Sequence, residues 1–227
     1  MHLELDAGNT RIKWRVMEGG RIFKSGLDLK QQLDQIDVEQ LSSVWVSSVH
    51  TEQNQWIKAT FPKASFAAAS KQKAGLLNSY EDVSRMGVDR WLAMLAAYST
   101  HPDGDHIIVD AGTALTIDVV SNHNHVGGYI CPGIHLMKHS ILGKTQQVFA
   151  EDQWLSGRTP GVSTQACLDH GVLDMACSWI ESRCLSYPQA KVWLTGGDAE
   201  KLAPLLNRSL VLEPDLVLNG LNVHFSQ

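Results

Sequence analysis

The residues best suited to chemistry lie in a short stretch, ending in Asp-Ala-Gly, that occurs twice in this 227-residue chain. The first copy holds Asp6 and Gly8 and the second holds Asp110 and Gly112, and the offset is constant, since 110 − 6 and 112 − 8 both give 104. In each copy an apolar run leads into the turn, and a run of alternating polar and apolar residues follows it. This pattern predicts a strand, a tight turn and a second strand. The repeat predicts two similar half-domains.

The turn of each copy could bind a phosphate. Gly8 and Gly112 have no side chain and tolerate positive φ angles, so their backbone N–H groups can come close to an anion. Neutral side-chain donors follow them at Asn9, Thr10 and Thr113. Two such turns that face each other would hold a polyphosphate between them. The alternative is an ordinary hairpin without a ligand, because Asp-x-Gly is common in tight turns, but the repetition favours the phosphate site.

Carboxylates at the ends of the first strands could hold a cation. Asp6 and Asp110 are placed where a hydrated Mg²⁺ ion would bind, since Mg²⁺ prefers carboxylate, water and phosphate oxygens. The Asn-His-Asn-His segment at 122–125 has no cysteine or carboxylate at ligand spacing. That segment is therefore predicted to be the solvated tip of a hairpin rather than a metal site.

A second candidate site lies where residues 85–90 open a predicted helix. Gly87 permits a tight entry, and Asp89 and Arg90 follow in the first turn. The helix dipole stabilises a carboxylate there, so Asp89 is expected to be ionised at neutral pH. The alternative is a surface ion pair that contributes little. A binding site is supported by the neighbourhood, because Tyr80 and this turn would lie around the same cleft as the hairpins if the two halves close on each other. From these residues alone, both interpretations stay open.

Hydrophobic periodicity predicts the elements that must position these residues, in the order βββαβα for each half. In the first half, a third strand, a weakly amphipathic helix, a buried strand and a short helix are predicted at 21–26, 28–41, 44–49 and 53–60. In the second half, strands are predicted at 126–130 and 191–197, and Asp198 would cap a helix at 199–206. Further helices are predicted at 87–99 and 163–183. The half-domains are placed at 1–103 and 104–227.

Composition limits the possible classes of function. A mass of 25.0 kDa and a hydrophobic content of 44% allow a substantial core. The net charge of −5 and pI near 6.0 argue against nucleic acid or an anionic membrane as a partner. No apolar run approaches the ~18 residues that span a bilayer, and the first strand contains Glu4 and Asp6, which a signal peptide would not. The chain is therefore expected in the cytoplasm.

Its cysteines form no C-x-x-C pair, and those at 167, 177 and 184 are expected to be reduced and buried.

Five motifs resemble, in their order along the chain, those of the type III pantothenate kinases. They are Asp6-Ala7-Gly8-Asn9-Thr10, Gly87-Val88-Asp89-Arg90, Asp110-Ala111-Gly112-Thr113-Ala114, Gly127-Gly128-Tyr129-Ile130-Cys131-Pro132-Gly133 and Thr195-Gly196-Gly197. The resemblance implies the α/β fold of sugar kinases, actin and chaperone ATPases, in which two duplicated ribonuclease-H-like halves surround a nucleotide cleft. The Asp-Ala-Gly repeat agrees with that fold.

The resemblance also implies ATP-dependent phosphorylation of pantothenate to 4'-phosphopantothenate, the first step of coenzyme A biosynthesis. It assigns the ATP phosphates to Asp6, Ala7, Gly8, Asn9, Thr10, Arg11, Ile12, Lys13 and Thr113. It assigns pantothenate to Tyr80, Gly87, Val88, Asp89, Arg90 and Thr164, with Asp89 as the general base. Asp110 matches a position for a monovalent cation, K⁺ or NH₄⁺, and Asp6 would hold Mg²⁺ through water. Members are typically homodimers in which the second subunit completes the substrate site.

Two other functions remain open at this point. One is a kinase or phosphohydrolase of the same fold that acts on another small alcohol or on polyphosphate. The motif at 87–90 together with Tyr80 argues against it, because that is the substrate-specific part of the resemblance. The other is a nucleotide-binding regulatory protein without turnover. The presence of Asp6, Asp89 and Asp110 argues against it, since a binding module needs no base.

Overall fold

The computed structural model describes residues 1–8, 11–142 and 153–226, apart from the side chain of Gln35. Two compact units divide the chain. Unit 1 comprises Met1–Pro102, His123–His125 and Asp215–Gln227, and unit 2 comprises Asp103–Asn122 and Val126–Pro214. The C-terminal segment from Asp215 therefore groups with unit 1, whereas the division into half-domains placed it with the second half.

The chain forms twelve β-strands and six α-helices within the described residues. The strands are β1 (His2–Ala7), β2 (Ile12–Glu18), β3 (Arg21–Gly26), β4 (Ser43–Ser48), β5 (Ala64–Phe66), β6 (Gln72–Lys73), β7 (Leu76–Leu77), β8 (His106–Ala111), β9 (Ala114–Ser121), β10 (Asn124–Pro132), β11 (Lys191–Thr195) and β12 (Val211–Leu212). The α-helices are α1 (Thr51–Thr60), α2 (Val88–Thr100), α3 (Ile134–Leu142), α4 (Thr164–Leu185), α5 (Ala199–Leu202) and α6 (Leu216–Phe225). Among the described residues, no helix is both long enough and apolar enough to cross a membrane.

Unit 1 is built on a sheet with the strand order β3-β2-β1-β4-β5. Strand β1 pairs antiparallel with β2 and parallel with β4, so the first predicted hairpin is confirmed. The strands predicted at 21–26 and 44–49 and the helix at 53–60 are confirmed as β3, β4 and α1. Apolar side chains from these elements form one core, which includes Leu3, Leu5, Trp14, Val44, Val46, Ile57 and Phe61.

The helix predicted at 28–41 is wrong. Three 3₁₀ segments take its place, at Leu29–Gln31, Leu33–Gln35 and Val38–Gln40. Asp28 precedes the first segment with φ of 58° and ψ of 53°, and Ile36 is extended, so the backbone cannot continue as one α-helix. Leu29 and Ile36 are still buried. The apolar spacing thus reflected contact with the core rather than helical geometry.

Helix α2 confirms the helix predicted at 87–99, and it is buried on more than one face. Every residue from Arg90 to Tyr98 is buried. Helix α6 packs against α2 in the same unit. The two helices approach so closely at Gly220 that a Cβ atom there would lie 2.1 Å from the carbonyl oxygen of Leu92. Only a glycine fits at this crossing.

Unit 2 contains a sheet with the order β12-β11-β8-β9-β10. The helix predicted at 163–183 is confirmed as α4, and the Ser163 hydroxyl caps it by accepting a hydrogen bond from the Ala166 N–H at 3.2 Å. Its buried side chains pack on the sheet and include Leu168, Val172, Leu173, Ala176, Cys177, Ile180 and Cys184.

The helix predicted at 199–206 is shorter than expected. Helix α5 ends at Leu202, and a 3₁₀ turn follows because Pro204 has no N–H with which to continue the helix. Asp198 occupies the N-cap position, as predicted, but its side chain makes no capping hydrogen bond. Its carboxylate instead accepts a hydrogen bond from Lys201 Nζ at 2.7 Å.

The two Asp-Ala-Gly hairpins differ by one residue. Asp6 pairs with Lys13 across the first hairpin, whereas Asp110 pairs with Thr116 across the second. The paired residues are separated by 13 − 6 = 7 positions in the first hairpin and by 116 − 110 = 6 in the second. The offset of 104 therefore holds only up to the turn. As a result, the acid of the first hairpin faces a lysine and that of the second faces a threonine.

The cysteines only partly match their prediction. Cys131, Cys167, Cys177 and Cys184 are all free thiols. Cys177 and Cys184 are buried in the core of unit 2, as expected, but Cys167 is exposed. Cys167 lies in the first turn of α4, where the side chains at 163 and 164 are exposed as well, so its helical spacing did not mean burial.

Candidate active site

The turn of the first hairpin is held by hydrogen bonds on both sides of its glycine. The Gly8 N–H donates to the carbonyl oxygen of Arg11 at 3.1 Å. The Gly8 carbonyl oxygen accepts a hydrogen bond from the side-chain amide of Gln53, on α1, at 3.2 Å. Gln53 was not among the predicted site residues, and no motif indicated it. The predicted ligands Asn9 and Thr10 lie outside the described residues.

The side chains that flank this turn have different exposure. Ala7 and Ile12 are buried, so only their backbone groups could reach an ATP phosphate. Arg11 is exposed, and its Nε lies 3.8 Å from Oδ1 of Asp28. An exposed pair at this distance contributes little to stability, which leaves Arg11 able to reorient toward an anion.

Asp6, at the end of β1, lies in an acidic environment. The pKa of its carboxyl is raised from 3.8 to about 7, chiefly because burial disfavours the charged form. The negative charge of Asp89 is the second cause, and Asp215 acts in the same direction. The Ser47 hydroxyl and the Lys13 ammonium lower this pKa. A carboxyl in this state would lose its proton when a cation binds beside it.

The chemistry of this group fits a hard cation that is shared with phosphate. Asp6 offers carboxylate oxygens, and its neighbours leave an excess of negative charge. Within the described part of the chain, no three His, Cys, Asp or Glu side chains are grouped as ligands of one metal ion. Mg²⁺ usually keeps several waters and binds one or two carboxylates together with substrate phosphates. The arrangement therefore fits Mg²⁺ held through water at Asp6 and not a protein cage.

The pKa of Asp6 predicts a pH-dependent effect of its replacement on stability. The pKa of Asp6 is 3.8 in the unfolded chain and about 7 in the folded protein. The Asp6 carboxyl therefore contributes fully to the free energy of unfolding below pH 3.8, and this contribution is lost as the pH rises to about 7. Asp6→Asn should therefore stabilise the ligand-free protein, by about 2 kcal/mol more at pH 8 than at pH 5.5. Urea unfolding at the two pH values measures this difference. Asp103→Asn, at an exposed position, is the control, and an equal effect of Asp6→Asn at both pH values would contradict the prediction.

Asp89 and Arg90 lie in the first turn of α2, as the sequence predicts. Asp89 is partly exposed, and its Oδ1 accepts a hydrogen bond from the Arg90 N–H at 2.8 Å. A Cβ atom on Gly87 would lie 2.6 Å from that same Oδ1, so glycine leaves room for the carboxylate. Val88 is buried. The charge of Asp89 acts on Asp6 within unit 1, and these two predicted site residues are thus brought together.

Tyr80 and Arg90 are also brought together. Arg90 Nη1 donates to the Tyr80 hydroxyl at 3.0 Å, and the guanidinium lies 5.9 Å from the centroid of the Tyr80 ring. The ring of His125 is also stacked on the Tyr80 ring, with centroids 6.0 Å apart. His125 is buried, with Nδ1 3.1 Å from Ser79 Oγ. The prediction that the 122–125 segment is wholly solvated is therefore wrong at His125, because β7 pairs with this hairpin tip.

A pocket of about 390 Å³ opens beside the first turn of α2 in unit 1. Its lining is mostly apolar and small, with two hydroxyl groups, and consists of Ser48, Val49, Ala67, Ala68, Ala69, Val83, Ser84, Met86, Gly87 and Val88. A volume of this size suits a small organic molecule. Gly87 and Val88, two of the predicted substrate ligands, thus line this pocket.

In unit 2, the second hairpin turn packs tightly against another glycine motif. The Gly112 N–H donates to the Ala114 carbonyl at 3.0 Å, and the Gly133 N–H donates to the Thr113 carbonyl at 2.9 Å. A Cβ atom on Gly133 would lie 2.1 Å from the carbonyl oxygen of Gly112. Gly133, directly after β10, thus supports the turn that carries the exposed Thr113.

Asp110 lies against the third glycine motif of unit 2. Gly196 has φ of 96°, and a Cβ atom there would lie 2.4 Å from Oδ1 of Asp110. The sequence predicted Asp110 as a cation ligand, and the structure places its carboxylate beside the backbone at Gly196. Thr164 is exposed in the first turn of α4 and belongs to unit 2, whereas Tyr80 and the 87–90 motif belong to unit 1.

Solved structures with the same architecture come from several kinds of protein. A protein from Campylobacter jejuni, described as a candidate Baf family transcriptional activator, matches with a TM-score of 0.65 and 23% identity over 99% of this chain and 97% of that one. A candidate 2-dehydro-3-deoxygalactonokinase from Sinorhizobium meliloti matches with a TM-score of 0.59 and 11% identity over 99% and 98%. The predicted fold class, that of sugar kinases and actin-like ATPases, is confirmed.

The particular family follows from sequence comparison. A family model described as type III pantothenate kinase matches residues 2–184. A type III pantothenate kinase from Pseudomonas aeruginosa is 35% identical, over 97% of each chain. This chain belongs to the type III pantothenate kinase family, and it is a kinase.

Proposed function

We propose that this chain catalyses the ATP-dependent phosphorylation of pantothenate to 4'-phosphopantothenate, the first step of coenzyme A biosynthesis. The proposal rests on one observation in this member of the family. The carboxyl groups of Asp6 and Asp89 are close enough in unit 1 for the charge of Asp89 to raise the pKa of Asp6. Asp6 lies near the end of strand β1, which leads into a turn of the kind that binds phosphate, and Asp89 lies at the start of a helix beside a pocket for a small molecule. A phosphate donor and an alcohol acceptor need such neighbouring sites.

Phosphoryl transfer depends mostly on positioning and on charge stabilisation. In this proposal, the backbone of the first turn binds the ATP phosphates together with Lys13, and Thr113 binds them from the second hairpin. Asp6 holds Mg²⁺ through water, and the ion offsets phosphate charge when bound. The excess negative charge at Asp6 supports this role.

Asp89 is proposed to orient the primary hydroxyl of pantothenate and to accept its proton. The carboxylate is partly exposed at the start of α2, where a substrate hydroxyl can reach it. Arg90 is proposed to bind a substrate oxygen or carboxylate, and its contacts with Tyr80 hold both side chains at the same place. Gly87 and Val88 contribute the wall of the pocket.

We further propose a monovalent cation site, a homodimer and a cytoplasmic location for this enzyme. Asp110 is proposed to bind K⁺ or NH₄⁺. A homodimer is supported by exposed apolar side chains on β10, namely Val126, Tyr129 and Ile130. Thr164 would then contribute to the substrate site across the interface. A cytoplasmic location belongs to the same proposal, because the reaction consumes ATP.

The test is an assay of phosphopantothenate formation by the purified protein with ATP and Mg²⁺, first in potassium and then in sodium buffer. We expect product in potassium and much less in sodium. Equal rates in both buffers would remove the monovalent cation from the proposal. ATP binding without product in either buffer would contradict the kinase assignment and favour a nucleotide-binding regulatory protein.

A further inference from the structure

We propose that Asp215, which precedes the C-terminal helix α6, is a positioning residue that holds the Lys13 ammonium in place for the phosphates of ATP. The inference rests on the proposed function, in which Lys13 binds those phosphates. No motif in the sequence points to Asp215, since it lies 215 − 13 = 202 residues from its partner.

The first observation is the direct ion pair. Lys13 Nζ lies 3.0 Å from Asp215 Oδ1, and both side chains are about one-third exposed. Lys13 is on β2, opposite Asp6 in the hairpin register. The charges of Lys13 and Asp215 both act on Asp6. Asp215 is therefore part of the charged group at the phosphate turn, although it comes from the far end of the chain.

The second observation is that the Asp215 carboxylate pairs with Lys13 and does not cap helix α6. Aspartate at the N-cap position of a helix normally accepts a hydrogen bond from the first turn. Asp215 occupies the N-cap of α6, yet its side chain makes no such capping bond. The carboxylate is directed to Lys13 instead. This use of the side chain is unexpected for a residue whose only task is to start a helix.

The third observation is that Asp215 is itself anchored from the core. Arg15 Nη1 lies 3.9 Å from Asp215 Oδ2 and donates to Asn219 Oδ1, one turn into α6, at 2.8 Å. Arg15 is buried and pairs with the buried Glu4. The chain of contacts from Glu4 through Arg15 fixes the start of α6 against β2. A lysine side chain has several rotatable bonds, and a fixed carboxylate limits where its ammonium can go.

A flexible lysine that is not held would lose entropy on binding ATP, so removal of Asp215 should weaken ATP binding more than it slows the chemical step. We expect Asp215→Asn to raise the KM for ATP roughly tenfold, the size expected from a charge-assisted hydrogen bond, with a small change in kcat. Asp215→Glu should recover most of the loss, because it restores the charge.

The decisive experiment is a double-mutant cycle with Asp215→Asn, Lys13→Met and the double variant, measured as the KM for ATP and as MgATP affinity by calorimetry. If Asp215 acts through Lys13, the double variant will bind ATP no more weakly than Lys13→Met alone. Asn219→Ala is the matched control, because it removes one contact of α6 with Arg15 but keeps both the Arg15–Asp215 pair and the Asp215–Lys13 pair. It should leave the KM for ATP within about twofold.

Each contrary result has a separate meaning. Additive effects of the two substitutions, or an Asn219→Ala variant with the same rise in KM, would show that Asp215 only supports α6 and would overturn the inference. An unchanged ATP affinity in Lys13→Met would overturn it as well. Failure of the parent protein to form phosphopantothenate would refute the proposed function, and the calorimetric cycle would still test the role of Asp215 in ATP binding.

Discussion

Replacement of Asp89 by asparagine is expected to lower kcat for phosphopantothenate formation by roughly 10²–10⁴-fold, the usual contribution of a general base. Asparagine keeps the size of the side chain and can still accept the hydrogen bond from the Arg90 N–H. It cannot take a proton from the substrate hydroxyl. The KM for ATP should change little, because the ATP phosphates are assigned to the hairpin turn.

A second effect of the same substitution distinguishes Asp89 from a residue that only supports the fold. The charge of Asp89 raises the pKa of Asp6, so Asp89→Asn should lower that pKa. The acidic limb of any remaining activity should then move to lower pH. Asp103→Asn, an exposed substitution of the same kind, should change neither kcat nor the pH profile. A kcat for Asp89→Asn within about threefold of the parent would rule out Asp89 as the base.

Replacement of Arg15 by methionine is expected to produce the largest loss of stability, about 3–5 kcal/mol. Arg15 Nε donates to Oε2 of Glu4, and both side chains are buried beneath α6. Without the guanidinium, the Glu4 carboxylate would remain buried with only His2 and Asn222 as polar neighbours in the described residues. For a protein of this size the melting temperature should fall by about 10 °C, which differential scanning calorimetry can measure.

The control for this prediction removes both charges. The double variant Glu4→Gln/Arg15→Met leaves no unpaired buried charge, so it should recover more than half of the lost stability. If the double variant is as unstable as Arg15→Met, packing rather than charge is responsible. A loss below about 1 kcal/mol for Arg15→Met would mean that water reaches the pair and screens it.

Local patterns predicted the elements that carry the site. The hairpins, α2 and α4 were all predicted close to their observed bounds, because alternation, helical spacing and capping residues act over a few neighbouring positions. The segment at 28–41 shows that local apolar spacing does not always predict the backbone conformation. Its apolar residues recur at helical spacing, and two of them are buried. The backbone is left-handed at Asp28 and extended at Ile36, however, so the segment is not an α-helix.

Contacts between distant segments could not be predicted from one sequence. His125 was assigned to solvent because nothing near it in the chain indicates that it stacks on Tyr80. The connection between the paired strands is one residue shorter in the second hairpin than in the first, and the constant offset of the motifs does not show this. Because of this difference, Lys13 lies opposite Asp6 whereas Thr116 lies opposite Asp110. Strand register depends on the length of the turn, which a motif does not fix.

The types of the reactive groups, their order and the strands and helices on which they lie depend on local chemistry, so they could be predicted from the residues alone. The electrostatic state of the site depends on the fold. Asp6 has a pKa of about 7 because burial and the carboxylates of Asp89 and Asp215 act on it together. These three residues are far apart in the chain, and charges interact through space over a few ångströms, so their combined effect exists only when the fold brings them together.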